Sequence, residues 1–291
     1  MPTFDTPTPI TATIDVVNGD VRISAGDRTV TTVSVAPTDA SNEEDRKAAE
    51  QTRVEYADGR LLVKAPKLRS WLPRSSGGSI DLTVEVPAGS HVHGGGALTD
   101  FACDGPLGEC RIKTGLGDIR LEQADTLTLR TGIGDIAVDR ATGHAVLTAG
   151  SGEVRVRELN STAVIKSSNR DTWVGAANRD LRVSAANGSI AIDVAEAGVV
   201  AKSSNGDVRL GEAVRGAVVL ETKLGDLEVG IREGTAAWLD VRAAAGTVHN
   251  ALDPADAPEP AAETVEVRAR TSYGDVVIRR AAGPAARSEP K

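Results

Sequence analysis

Gly117-Asp118-Ile119-Arg120-Leu121, Gly134-Asp135-Ile136-Ala137-Val138 and Gly152-Glu153-Val154-Arg155-Val156 follow one another at a nearly fixed pitch. The pattern returns as Gly188-Ser189-Ile190-Ala191-Ile192, Gly206-Asp207-Val208-Arg209-Leu210 and Gly225-Asp226-Leu227-Glu228-Val229. The steps are about 17 to 19 residues, and a degenerate copy, Arg170-Asp171-Thr172-Trp173-Val174, fills the one gap. A period near 20 residues belongs to a stacked array, in which each unit buries its apolar face on its neighbours.

Counting outward from each Gly gives the coil its content. Apolar residues lie two and four positions after it, as in Ile119 and Leu121 or Val208 and Leu210. A second alternating pair lies seven and five positions before it, as in Leu127 and Leu129 or Leu181 and Val183. Alternation with period two marks a strand with one buried face, so each coil holds two short strands separated by a corner. Small residues mark the corners: Thr114, Thr131, Ala149, Ser167, Ala185, Ser203, Thr222 and Ala243 before the Gly, then Ala124, Ala141, Ala177, Ala195 and Ala213 after it. Leu159 breaks the alanine column, and a bulge is expected there. The Gly supplies a backbone conformation that other residues resist.

Run backwards, the register recovers a degraded copy at Thr99-Asp100-Phe101-Ala102-Cys103. Cys103 and Cys110 then both occupy inward strand positions, where free thiols act as small hydrophobes; a reversible disulfide is the alternative. Asp118, Asp135, Glu153, Asp171, Asp207 and Asp226 form an acidic column. Such a column has the composition of a Ca²⁺ ladder or of the carboxylate pair of a glycosidase. The simpler expectation is that each carboxylate caps its own tight turn by accepting from backbone N–H groups.

Composition narrows the function classes. The net charge of −8 disfavours nucleic acid and anionic lipid as partners. No apolar run reaches the ~20 residues of a membrane span. The stretch Met1-Pro2-Thr3-Phe4-Asp5 has neither a basic nor an apolar leader region, which points to a cytoplasmic protein. Aromatics make up 2% of the chain, which suits a thin core of small and β-branched side chains. His91 and His93 are too few for a metal site, and no cofactor is expected.

Outside the repeat, Ser41-Asn42-Glu43-Glu44 is a capping-box pattern ahead of Asp45 to Arg53 and predicts a short polar helix. Asp58-Gly59 between Val54-Glu55-Tyr56 and Leu61-Leu62-Val63 predicts a hairpin. At the C-terminal end, Gly246-Thr247-Val248 and Gly274-Asp275-Val276 continue the motif around an acidic, Pro-containing loop from Ala251 to Glu263. The reading is an all-β chain: a parallel β-helix-like solenoid of about 18 residues per coil over 96–280, an irregular β-rich cap with one helix over 1–95 that is continuous with the solenoid, and a disordered tail over 281–291.

The Gly-Asp-Ile/Val ladder, with Asp58-Gly59-Arg60-Leu61-Leu62-Val63-Lys64-Ala65-Pro66 and Leu82-Thr83-Val84-Glu85-Val86-Pro87-Ala88-Gly89-Ser90, resembles a bacterial β-strand-repeat family of unknown function labelled "putative adhesin". The resemblance runs from about residue 10 to 280 and implies a β-solenoid without an assigned enzymatic activity. The functional expectation is a non-enzymatic binding or scaffolding module with a protein partner. The alternative is a self-assembling protein forming dimers or filaments; a carbohydrate-active enzyme ranks third, since Trp71, Trp173 and Trp238 are scattered. Candidate interaction residues lie where the repeat breaks: Lys67, Arg69, Trp71 and Arg74 in a basic loop, and Arg170 and Trp173 in the degenerate copy.

Overall fold

The computed structural model describes residues 2–66, 78–253 and 263–281, and the chain divides into two compact units, Met1–Ser151 and Gly152–Lys291.

The first unit contains β1 (Thr3–Asp5), β2 (Thr11–Gly26), β3 (Val30–Pro37), α1 (Glu43–Gln51), β4 (Arg53–Ala57), β5 (Arg60–Lys64), β6 (Ile80–Pro87), β7 (His91–Leu116), β8 (Ile119–Ile133), β9 (Ile136–Ala141) and β10 (Ala145–Ser151). Pairing between coils is parallel and in the register that the sequence period dictates: Val21 faces Phe101, Phe101 faces Ile119 and Ile119 faces Ile136. On the other ladder Cys110 faces Leu127 and Leu127 faces Ala145. Every one of these apolar positions is buried, so two parallel ladders close over a thin aliphatic core.

The parallel pairing of the solenoid already runs through the N-terminal cap. β2 is already a full coil, with its first half on β5 and its second half on β6, and the sequence boundary near residue 95 falls inside β7. Beyond this coil the strands turn antiparallel: β4 pairs with β5, β3 with β6, and β1 with β3. Asp58 and Gly59 both take positive φ (50° and 71°), as the predicted hairpin turn requires. Phe4 and Tyr56 meet with ring centroids 5.1 Å apart and tie β1 to β4. The helix starts two residues earlier than its predicted span, with Asn42 as N-cap accepting from the Glu44 amide at 2.9 Å. The Asp45 carboxylate, 6% exposed, accepts from the amides of Asp39 and Ser79.

The second unit contains β11 (Val154–Leu159), β12 (Ala163–Asn169), β13 (Thr172–Ala177), β14 (Leu181–Asn187), β15 (Ile190–Ala195), β16 (Val199–Asn205), β17 (Val208–Ala213), β18 (Gly216–Leu224), β19 (Leu227–Ile231), β20 (Ala236–Ala245), β21 (Val248–Asn250), β22 (Thr264–Tyr273) and β23 (Val276–Arg280). One ladder runs β12–β14–β16–β18 and the other β11–β13–β15–β17–β19. Leu159 produces no bulge: it is buried and in register with Ala177. The register shift lies instead between Leu210 and Ala213.

The last coils are not stacked in sequence order. β22 inserts between β18 and β20, and β23 inserts between β19 and β21, so the later coil takes the inner place. Burial explains the exchange. Val265, Val267, Ala269, Val276 and Ile278 give the inner coil a continuous apolar row, all buried. The outer coil carries Asn250 opposite Ile278 and leaves Val248 48% exposed. Covering the more apolar of two coils removes more hydrocarbon from water.

Candidate functional site

The polar columns bind coil to coil. The Asp118 amide donates to the Asp100 carboxylate at 2.8 Å, and the Asp135 amide to the Asp118 carboxylate at 2.9 Å. In the second unit the amides of Ser189, Asp226, Asp275 and Thr247 donate in the same way to Asp171, Asp207, Asp226 and Asp275, at 2.7–2.8 Å. The expected cap within each turn is therefore replaced by a cap on the next coil. The sequence Asp226, Asp275, Thr247 repeats the exchanged coil order. The Asp275 carboxyl is held below the ordinary carboxylate range by the backbone and side chain of Thr247.

The small residues before each Gly are chemically specific as well. Thr114, Thr131, Ser203, Thr222 and Thr271 donate their hydroxyls to backbone carbonyls of the neighbouring coil, at Thr99, Gly117, Gly188, Gly206 and Gly225. Asn169, Asn187 and Asn205 add a side-chain amide ladder at 3.0 and 2.7 Å.

One coil departs from these rules at successive positions. Arg170 stands where neighbouring copies have Gly and takes φ 114°, a conformation strained for a side-chain-bearing residue. Ser167 donates to Arg170 O within its own coil. Thr172 fills the slot that holds Val154, Ile190 and Val208 in the adjacent coils; it is 1% exposed and its hydroxyl has no hydrogen-bond partner. Trp173 then lies half-buried on the outer face of β13, in a row Arg155–Trp173–Ala191–Arg209 across adjacent strands. The Arg155 guanidinium sits 5.8 Å from the indole centroid and is itself held by Glu153 at 2.7 Å. Small neighbours make room for the indole; a Cβ added to Gly175 would come 3.1 Å from Trp173 Cη2.

These irregularities carry a stability signature. Thr172→Val removes a buried unpaired hydroxyl, and Arg170→Gly relieves the strained φ, so each is expected to raise stability by about 1 kcal/mol. Urea unfolding midpoints measure both; a loss of stability in either variant contradicts the corresponding reading.

Arg170 and Trp173 thus fall on one coil, whereas Lys67, Arg69, Trp71 and Arg74 lie outside the described residues. Cys103 and Cys110 are free and buried, and contact with Cys103 followed by burial pushes the Cys110 thiol well up. Such a thiol is a poor nucleophile. His91 Nδ1 accepts from the Glu109 amide at 2.8 Å, a structural bond. Among the described residues no cluster of three or more His, Cys, Asp or Glu side chains could hold a metal, and no helix is long and apolar enough to cross a membrane.

A family model described as "Toastrack DUF4097" matches residues 11–283. Among solved structures, one described as a putative adhesin from Bacteroides fragilis is 11% identical, with a TM-score of 0.38, covering 96% of this chain and 95% of that one. Another, from Parabacteroides merdae and described in the same words, is 10% identical with a TM-score of 0.44, covering 96% and 94%. A putative cell adhesion protein from Clostridium sporogenes is 12% identical with a TM-score of 0.22, covering 96% and 98%. No curated protein matches the chain.

Proposed function

Since the chain belongs to the Toastrack DUF4097 family, whose description names no activity, we propose from its own geometry that it is a non-enzymatic β-solenoid binding or scaffolding protein. Its partner surface is the outer face of the coil that carries Arg170 and Trp173. The observation behind the reading is the gathering of a strained backbone, an unpaired buried hydroxyl and a surface indole flanked by arginine on a single coil. Local rules broken together, in an otherwise regular repeat, favour a position kept for contact over one kept for folding. Trp and Arg are also the residues that dominate protein–protein contact energy. The acidic column supports the non-enzymatic part: its carboxylates accept bonds from backbone amides and have a structural use.

A photo-crosslinking residue placed at position 173 is expected to capture a discrete partner from extracts of the native cell. The same residue at Arg182, exposed on β14 of the other ladder, should capture nothing. Equal labelling at both positions, or none at 173, would sink the proposal.

A further inference from the structure

Among the described residues, the outer coil of the second unit ends the ladder with unpaired backbone. β20 pairs with β22 on one side only, and among the described residues nothing pairs with its other side. In the first unit the corresponding parallel edges of β2 are covered by β5 with β4 and by β6 with β3. Among the described residues β20 has no such cover. Its sequence, Ala236-Ala237-Trp238-Leu239-Asp240-Val241-Arg242-Ala243-Ala244-Ala245, contains neither Pro nor Lys, the usual guards of an exposed edge. Leu239 and Val241, in register with buried Val267 and Ala269, are only partly covered, and among the described residues no coil lies beyond them.

We infer that this edge is completed by a second copy of the chain, with β20 pairing antiparallel to its own counterpart about a two-fold axis at Val241. Three features choose that partner and register. The Ala236 amide donates to Glu263 O, so even-numbered residues from Ala236 to Arg242 direct their backbone groups at β22, while Ala237, Leu239 and Val241 direct theirs at the free edge; the phase has changed by Ala245, whose carbonyl accepts from the Gly274 amide. Self-pairing must then bring odd residues opposite odd residues, which also keeps apolar side chains on the inner face. Of the four most central registers that satisfy this, one places Asp240 opposite Asp240, another Arg242 opposite Arg242, and a third, centred on Leu239, gives a shorter overlap and leaves Asp240 opposite Trp238. The fourth places Val241 opposite Val241, Leu239 opposite Ala243 and Asp240 opposite Arg242, twice by symmetry. In it the bulky Trp238, 58% exposed, lies opposite the small Ala244. Arg242 is 75% exposed and its ion pair with Asp240 of its own strand is long, 3.7 Å, while Arg270 holds the other oxygen of Asp240 at 3.1 Å, so Arg242 can turn across the axis without leaving its own Asp240 unpaired. Like-with-like pairing closes at two copies, and the covered edges of β2 offer no second open coil from which a filament could grow.

Sedimentation of the full chain at micromolar concentration is the test. The expected species is a dimer. Asp240→Arg and Arg242→Asp, each alone, set like charges opposite one another twice and should weaken the dimer roughly 10- to 30-fold. The doubly exchanged Asp240→Arg/Arg242→Asp chain should recover it while circular dichroism stays unchanged throughout. A wild-type monomer at 100 µM or so, or a dimer indifferent to the single exchanges, overturns the inference. So does a wild-type monomer that dimerises once residues 254–262 are replaced by a Gly/Ser linker, since the edge would then be covered by its own chain.

Discussion

Gly206→Ala is expected to lose about 3 kcal/mol or more of stability, enough to unfold a domain of ordinary stability at moderate temperature. Gly206 takes φ +140°, where a side chain is strained, but conformation is the smaller part of the cost. An added Cβ would lie 2.3 Å from Gly188 O, 2.5 Å from Gly188 C and 2.9 Å from Ser189 N, all backbone atoms of the neighbouring coil. Those atoms cannot retreat cheaply. The Gly206 amide donates to Leu224 O at 2.8 Å, and the hydroxyls of Ser203 and Thr222 hold the carbonyls of Gly188 and Gly206. Relief of the clash would separate coils along both ladders. Gly234 is the control: it also has positive φ (+79°), yet nothing lies within 4 Å of an added Cβ, so Gly234→Ala should cost only about 1 kcal/mol. Denaturant midpoints of the two variants separate crowding from conformation; equal losses would show that the close approach of coils is not what selects glycine.

The same contrast shows why the repeat was legible and its exceptions were not. A Gly every 17 to 19 residues with apolar residues at two and four positions after it leaves only one in-register stacking, and Ile119 faces Ile136, and Val208 faces Leu227, accordingly. Direction of hydrogen bonding was not legible. An Asp after a Gly reads equally well as a cap on its own turn or on the next coil, and only the stacked backbone decides for the latter. The hydroxyls of Thr114 and Thr222 read as small residues, because the carbonyls they satisfy belong to another coil. The exchange of the last two coils was hidden for a similar reason: the motif records what a coil is, not which neighbour it meets. The contrast of Val276 and Ile278 with Val248 and Asn250 was the available signal. The position before each Gly was overlooked altogether. It carries exposed Leu98, Leu116 and Ile133 in the first unit and the Asn169–Asn187–Asn205 ladder in the second. At the candidate site, Arg170 and Trp173 were recognisable as breaks in the pattern, whereas the unpaired Thr172 hydroxyl follows only from the burial of its slot.

A second large effect is expected in the core of the first unit, from Phe101. Neighbouring coils place Val21 and Ile119 at that register position, and Phe101 is 1% exposed. A solenoid coil has a fixed cross-section, so an aromatic ring on one ladder needs a deficit elsewhere in the same layer. Gly94 supplies it: an added Cβ would lie 2.8 Å from Phe101 Cε1, 3.2 Å from Phe101 Cζ and 3.2 Å from Ile112 Cγ1. Phe101→Ala should therefore cost about 3–5 kcal/mol by leaving a cavity, and Gly94→Ala about 1–3 kcal/mol by overfilling the layer. The two losses should not add. In the double variant the new methyl occupies space that the ring has vacated, so the combined loss should fall short of the sum by at least about 1 kcal/mol. A double-mutant cycle from urea unfolding measures that difference. Additive losses would mean that Gly94 is required by its backbone alone, and that the ring and the glycine do not share one volume.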